Sequence, residues 1–388
     1  MDKLEKSETK VFIFYTAGDY IHTPSTGGTR RYRELLEHFL EAGDKIYLLA
    51  PENINLQKGA NLFHIPLKTY QSSFLPNGLL NFFLNLKAFR LAKNINADGV
   101  VLFSVPYAIQ GILAGLDNIS VFIREDIGQN IYFQDQKSKG LSRYTRKINL
   151  FLFKLIEKYT LSKVQKVILP GNYAKNALES KYPGVFKKLE KKTYVLYNNI
   201  NAGWMLSYSG YIRQKPVPAG NIYRFVFAGR LNTCQKGLHL LLSAVQRLTD
   251  EGYPVRLDVI GDGALKSEYE HRWKDYSCIK FLGWMDEPMK VLSDYDLLIV
   301  PSLFDAFPNV VLEGLFLEIP VIGSLAGGIA EILLFQELMF DPQRSKLKEK
   351  LQEIIEGGLL ENYRQKCIRR KQALTFNWGE EARQIVSQ

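Results

Sequence analysis

Cysteine is scarce in this sequence: Cys234, Cys278 and Cys367 are the only three in 388 residues. They are odd in number and far apart, so no disulfide framework or cysteine-based metal spacing can be drawn, and a reducing compartment is expected. The five histidines form no metal-ligand spacing either. No uninterrupted apolar run reaches the length of a membrane span. The opening "MDKLEKSETK" is polar, with no apolar leader core behind it, which sets the expectation of a cytosolic protein. Short repeats and low-complexity tracts are also missing, which argues against solenoid and disordered classes.

What is present is ordinary globular composition, 46% hydrophobic and 23% charged, in a chain long enough for two cores. The net charge of +10 is unevenly spread. Residues 1–200 hold 28 Lys and Arg against 17 Asp and Glu; the rest hold 22 against 23. The basic first half suits nucleic acid, anionic lipid or a phosphorylated substrate. Nucleic acid fits least, because no groove-reading or RNA-binding motif accompanies the charge.

Short apolar runs alternate with helix-length segments. In the first half "KVFIFYTA", "KIYLLAP", "GVVLFS", "VFIRED", "KVILPG" and "TYVLYN" read as strands. "GGTRRYRELLEHFLEAGD" reads as a helix closing at Gly43, and "LSRYTRKINLFLFKLIEKYTLSK" as a second. This alternation predicts a mostly parallel sheet covered on both faces. Residues 201–221 are rich in Gly, Pro and polar residues with no clean period, and read as a linker. A second set follows: "YRFVFAG", "RLDVIG", "IKFLG", "YDLLIVPS" and "PVIGS". The expected layout is an N-terminal domain over 1–200, a linker over 201–221, a C-terminal domain over 222–370, and a final helix over 371–388.

Several stretches carry candidate chemistry. "FVFAGRLNTCQKG" sets Arg230 and Lys236 around a strand-to-helix loop. A planar fork and a point charge beside free helix N–H groups suit a diphosphate; an ordinary exposed loop fits equally well. In "DVIGDG", Gly261 and Gly263 permit either a close ligand or a plain turn, and the turn is the simpler reading. "DAFPNVVLEG" puts Asp305 before a helix that Pro308 starts, with Glu313 in its second turn among apolar neighbours. An ionised acid there needs a partner. "STGGTRRYREL" brings the bare backbone of Gly27 and Gly28 to the mouth of the first helix. "REDIG" leaves Arg124 and Asp126 past a strand end, where α/β sheets bind ligands, although the two also suit a mutual ion pair. His22 is a lone loop histidine. Residues 137–166 hold nine Lys and Arg and one acid, Glu157, interleaved with large apolar residues. That pattern suits either an anionic lipid surface or a core-packed helix with a solvated basic face.

Taken in order, "FVFAGRL…KG", "DVIGDG", "IKFLGW", "VPS…DAFPNVVLEG" and "PVIGSLAGGIAEIL" resemble glycosyltransferase family 4, strongly over 223–388 and more loosely over 10–200. The resemblance implies the GT-B fold: two Rossmann-like domains facing a cleft, with the last helix crossing back onto the N-terminal domain. It implies a retaining transferase using a nucleotide sugar, UDP-linked by preference, with no metal or other cofactor. By position, Arg230 and Lys236 would grip the donor diphosphate and Asp305 would touch the donor sugar. Glu313 would hold the ribose hydroxyls. Gly27, Gly28, Gly229, Gly261, Ala306, Phe307, Pro308 and Asn309 would complete the donor site. Arg124, Asp126 and Tyr107 are the acceptor candidates.

The sequence departs from the family in three places. Asp305 stands where the family usually has Glu, and Glu318 where it has a small residue. "VVLFSVPYAI" lacks the histidine often found there, leaving Ser104 or Tyr107. The implied acceptor is a saccharide or lipid-linked saccharide in bacterial surface polysaccharide or glycoconjugate assembly. Two other readings stay open: a non-catalytic donor-binding subunit, and a nucleotide-sugar epimerase of the same fold.

Overall fold

The structure is a computed structural model that describes residues 9–16, 27–52, 54, 60–68, 77–124, 141–214, 222–342 and 346–388. Among these, two parallel sheets form. The first contains β1 (Val11–Tyr15), β2 (Lys45–Pro51), β3 (Leu62–Leu67), β4 (Gly99–Phe103), β5 (Ile119–Phe122), β6 (Lys166–Leu169) and β7 (Thr193–Val195), in the order β3-β2-β1-β4-β5-β6-β7. The second contains β8 (Tyr223–Ala228), β9 (Val255–Ile260), β10 (Ile279–Gly283), β11 (Leu297–Val300), β12 (Val321–Ser324) and β13 (Met339–Phe340), in the order β10-β9-β8-β11-β12-β13.

Burial on both faces explains the continuous apolar runs. Along β1, side chains alternate between two cores. Phe12 and Phe14 join Leu35, Phe39 and Trp378 on one face, while Ile13 and Tyr15 join Val100, Leu102 and Leu161 on the other. The second domain has one large core around Phe225, Leu241, Ile299, Leu312 and Ile322. β3 escaped the sequence reading because it is the edge strand of its sheet, half exposed, with His64 and Pro66 breaking the apolar run. The strand expected in "VFIRED" ends at Phe122, leaving Arg124 beyond it.

The expected helix Leu141–Lys163 forms with those bounds. No described helix is long and apolar enough to cross a membrane. Within 201–221, residues 203–211 make two short helical turns, Gly203–Leu206 and Ser209–Tyr211. Ala202 and Met205 lie in the C-terminal core, and Arg213 donates to the Tyr295 carbonyl at 2.6 Å. Residues 215–221 lie outside the described residues.

The chain returns to its start at the end. After the helix Leu360–Ala373, the helix Trp378–Ser387 begins at Asn377, whose side chain accepts from the Glu380 amide at 3.0 Å. This last helix lies on the first sheet. Arg383 pairs with buried Asp44 at 2.7 Å, and Lys166 donates to the Val386 carbonyl at 2.8 Å. This is the GT-B arrangement: two Rossmann-like domains joined by a returning C-terminal helix.

Candidate active site

Each sheet reverses its strand order once, between β1 and β4 and between β8 and β11. Ligands of open α/β sheets bind beyond the carboxyl ends of strands at such points. The C-terminal candidates converge there. Gly229 and Arg230 follow β8, Gly261 follows β9, and Asp305 to Pro308 follow β11. Lys236 closes the short turn Cys234–Lys236.

Close backbone packing builds this edge. Gly261 has φ +145°, and a Cβ there would lie 1.9 Å from the Gly229 carbonyl oxygen. The tight turn therefore serves loop-on-loop packing. The Asp305 loop is held by residues the sequence reading passed over. Gly327 has φ +66°, and its Cβ would fall 1.9 Å from the Asp305 carbonyl oxygen. The Gly328 amide donates to that same carbonyl at 2.8 Å.

The charged groups fall into two sets. Lys236 and Asp305 form a hydrogen-bonded ion pair, both partly exposed. The sequence reading gave Lys236 the donor diphosphate and Asp305 the donor sugar; in the structure each is the other's counter-ion. Arg230 is exposed and has no ion-pair partner among the described residues. Ala306 and Phe307 are nearly buried. The helix Asn309–Phe316 begins one residue later than expected, with Pro308 in the capping position.

Glu313 is buried in that helix, and Arg30 of the N-terminal domain approaches it at 3.7 Å. Burial pushes the Glu313 carboxyl above its ordinary range, while Arg30 and Arg31 pull the other way. Arg30 also lies over Trp204, 4.7 Å from the ring centroid.

Gly27 and Gly28 open the helix Gly27–Glu41, which carries Arg30 and Arg31, so bare amides mark its start. Arg31 is fully buried, bonded to Glu34 at 2.8 Å and to the Asn199 carbonyl at 2.6 Å. Arg31 and Arg124 both lie over Trp378, at 5.6 and 5.7 Å. Arg124 donates to Asn198, whose amide donates to Asn309 at 3.3 Å. Burial, with Arg31 adding to it, brings the Arg124 pKa down to about 9. Arg124 thus stands at the seam between domains. Asp126 and His22 lie outside the described residues. The Tyr107 ring lies 4.6 Å from that of Tyr15, tilted by 52°, near the carboxyl end of β1 and just past Ser104, which holds φ 96°. A positive φ at a non-glycine residue is strained, and such strain concentrates at functional sites.

Glu331 was also missed. From the short helix Ile329–Leu333 after β12 it accepts hydrogen bonds from the backbone amides of Asn172, at 2.8 Å, and Tyr173, across the domain boundary. The readable signal was an acid three residues after the Gly327–Gly328 pair. An open cleft of about 540 Å³ lies there, lined by Asn172, Tyr173 and Tyr197 with Gly327, Glu331 and Arg370.

A cleft between two Rossmann-like domains, with cations and acids on the loops of the second, suits an enzyme that binds an anionic ligand at the carboxyl edges of its sheets. Residues 223–356 match the family model described as glycosyl transferases group 1. An uncharacterized glycosyltransferase of Methanocaldococcus jannaschii, MJ1178, is 26% identical over 282 residues, covering 70% of each chain. Sucrose-phosphate synthase from Thermosynechococcus elongatus superposes with a TM-score of 0.71 at 18% identity over 97% of both chains. HepE of Anabaena in complex with UDP-glucose superposes at 0.66 and 16% identity, over 97% of this chain and 98% of that one.

Proposed function

We propose that this enzyme transfers a sugar from a nucleotide-diphosphate donor, UDP-linked by preference, to a saccharide or lipid-linked acceptor with retention of anomeric configuration. The observation that carries this reading is the convergence of Lys236, Asp305 and Glu313 on the carboxyl edge of the second sheet. A retaining, family 4-type activity on surface polysaccharide or glycoconjugate precursors fits this arrangement. The structural likeness to HepE, whose structure holds UDP-glucose, supports the choice of donor.

In this reading Glu313 accepts from the ribose hydroxyls, displacing its ion pair to Arg30. The diphosphate lies between Arg230, Lys236 and the amides of the Gly27 helix start. Gly229, Gly261, Ala306, Phe307 and Asn309 shape the pocket wall, and Asp305 meets a donor-sugar hydroxyl. As the bond from anomeric carbon to phosphate oxygen breaks, negative charge grows on the diphosphate. Fixed cations and helix N–H groups hold that charge more strongly in the transition state than in the ground state. The acceptor hydroxyl attacks the anomeric carbon from the leaving-group face, and its proton passes to the departing phosphate oxygen. The cations already oppose the charge, so the scheme needs no metal.

The test incubates the purified chain with UDP-, GDP- and ADP-sugars and a panel of saccharide and lipid-linked acceptors. Nuclear magnetic resonance of the product reads the anomeric configuration. UDP-sugar turnover giving an inverted product would overturn retention. Epimerised donor formed without acceptor would replace the reading with the epimerase one.

A further inference from the structure

We propose that the helix Leu141–Lys163 is a docking surface on which this protein lies against an anionic lipid bilayer. Among the described residues, one side of the helix is exposed. Phe151 is 62% exposed, Leu155 50%, Leu152 48% and Tyr159 44%, with Ile148 and Ile156 close behind. At the helical spacing of about 100° per residue these six share one arc of roughly 140°. Singly exposed apolar residues are ordinary; a continuous file of six large ones on one helix is not.

The charges are arranged to match. The opposite side of the helix is buried through Glu157, Thr160 and Leu161. Glu157, the only acid in the helix, points inward and is bound by Lys181 and by the Tyr182 hydroxyl at 2.8 Å. Lys154 and Lys158 are exposed along one margin of the apolar arc, and Lys163 stands near its end. Lys187 and Lys188 are exposed on the neighbouring helix Pro183–Leu189.

This is an apolar face with a cationic margin on a helix too polar to span, the pattern of a helix lying in the plane of a membrane interface. A second copy is the poorer occupant, because a two-fold contact would set the same lysine-rich margins against each other.

The topology gives the surface a place in the enzyme. The helix leads back from β5 to β6, two parallel strands, so it runs against them. Its first turns therefore lie at the carboxyl edge of the sheet, on the N-terminal side of the cleft. A bilayer on this face would present headgroups beside that cleft. The inference is independent of the donor reading, since it concerns lipid binding alone.

The experiment sediments the full chain with phosphatidylcholine vesicles and with mixed phosphatidylcholine–phosphatidylglycerol vesicles. It is repeated with Phe151→Ser, Leu155→Ser and with Lys154→Glu, Lys158→Glu; melting midpoints near wild type establish that each pair folds. Wild type is expected to bind the anionic vesicles, more weakly at high salt, and each double variant to lose roughly tenfold or more in affinity. Absence of vesicle binding by wild type, or equal binding by both folded variants, overturns the proposal. So does a wild-type dimer, seen by light scattering, that the Phe151→Ser, Leu155→Ser change dissolves, since a second copy then covers the face.

Discussion

Glu331, in the C-terminal domain, closes the first turn of a helix that belongs to the N-terminal domain. Its carboxylate takes the amides of Asn172 and Tyr173, at a helix start where Gly171 has no side chain to do so. An acid at a helix N-terminus satisfies free N–H groups and opposes the helix dipole. Here the two halves of that interaction sit on separate domains, so it also ties the two domains together.

Glu331→Ala should therefore favour the open form by about 1 kcal/mol, roughly fivefold in the ratio of open to closed. Small-angle scattering should show a larger radius of gyration than wild type, with Glu331→Gln in between. An unchanged radius in Glu331→Ala would show that closure does not depend on this contact.

Lys236→Ala should weaken nucleotide-sugar binding more than Arg230→Ala. It removes a cation and also leaves Asp305 without its counter-ion, facing the incoming diphosphate. Hydrogen bonds to charged groups contribute about 1.5–3 kcal/mol, so a loss of roughly tenfold or more is expected for Lys236→Ala. The Lys236→Ala, Asp305→Ala double variant should bind better than additivity allows. Isothermal titration with UDP and the UDP-sugar reads wild type, the Arg230→Ala, Lys236→Ala and Asp305→Ala single variants and the double variant.

Donor binding should depend on pH through Glu313. Its folded-state pKa is raised, so the carboxylate that accepts from ribose is lost at a higher pH than for an ordinary glutamate. Affinity should fall as pH is lowered toward and through that raised value. Glu313→Gln should bind more weakly at neutral pH and lose this part of the profile. The same group lowers stability as pH rises through the window between its unfolded and folded pKa, because the native state binds the extra proton. A wild-type profile that matches Glu313→Gln would remove Glu313 from the ribose site.

Gly327→Ala should damage the site without touching a charge. The new Cβ would lie 1.9 Å from the Asp305 carbonyl oxygen, at a φ of +66°. Strain of this kind costs on the order of 1–3 kcal/mol. The Asp305 loop should shift, and UDP-sugar affinity should fall along with the denaturation midpoint. Full affinity in the variant would show that the loop tolerates displacement.

Trp378→Ala should unfold the N-terminal domain first. Trp378 is fully buried with Phe122 and the guanidinium groups of Arg31 and Arg124 around it. Emptying such a site costs about 3–5 kcal/mol. Hydrogen exchange should show lost protection in β1, β5 and the helix Gly27–Glu41 while β8 and β11 stay protected.

Local pattern carried the sequence a long way. Buried parallel strands need apolar runs on both faces, so the two α/β domains and most strands are written in one-dimensional order. The helix Leu141–Lys163 is legible for the same reason, from its length and polar ends. Asp305, Glu313 and Lys236 stand out because a charge beside a buried strand or among apolar residues needs an explanation within a few positions.

Tertiary structure alone decided the pairings between distant segments. Arg30 with Glu313, Arg124 with Asn198, and Glu331 with the Asn172 amide each join residues dozens to hundreds of positions apart. A hydrogen bond or ion pair leaves no periodic trace in sequence, because only one of its partners need sit on any given helix or strand. The seat of Trp378 on the first sheet is of the same kind: the amphipathic pattern shows that the last helix has a buried side, and the fold decides what covers it.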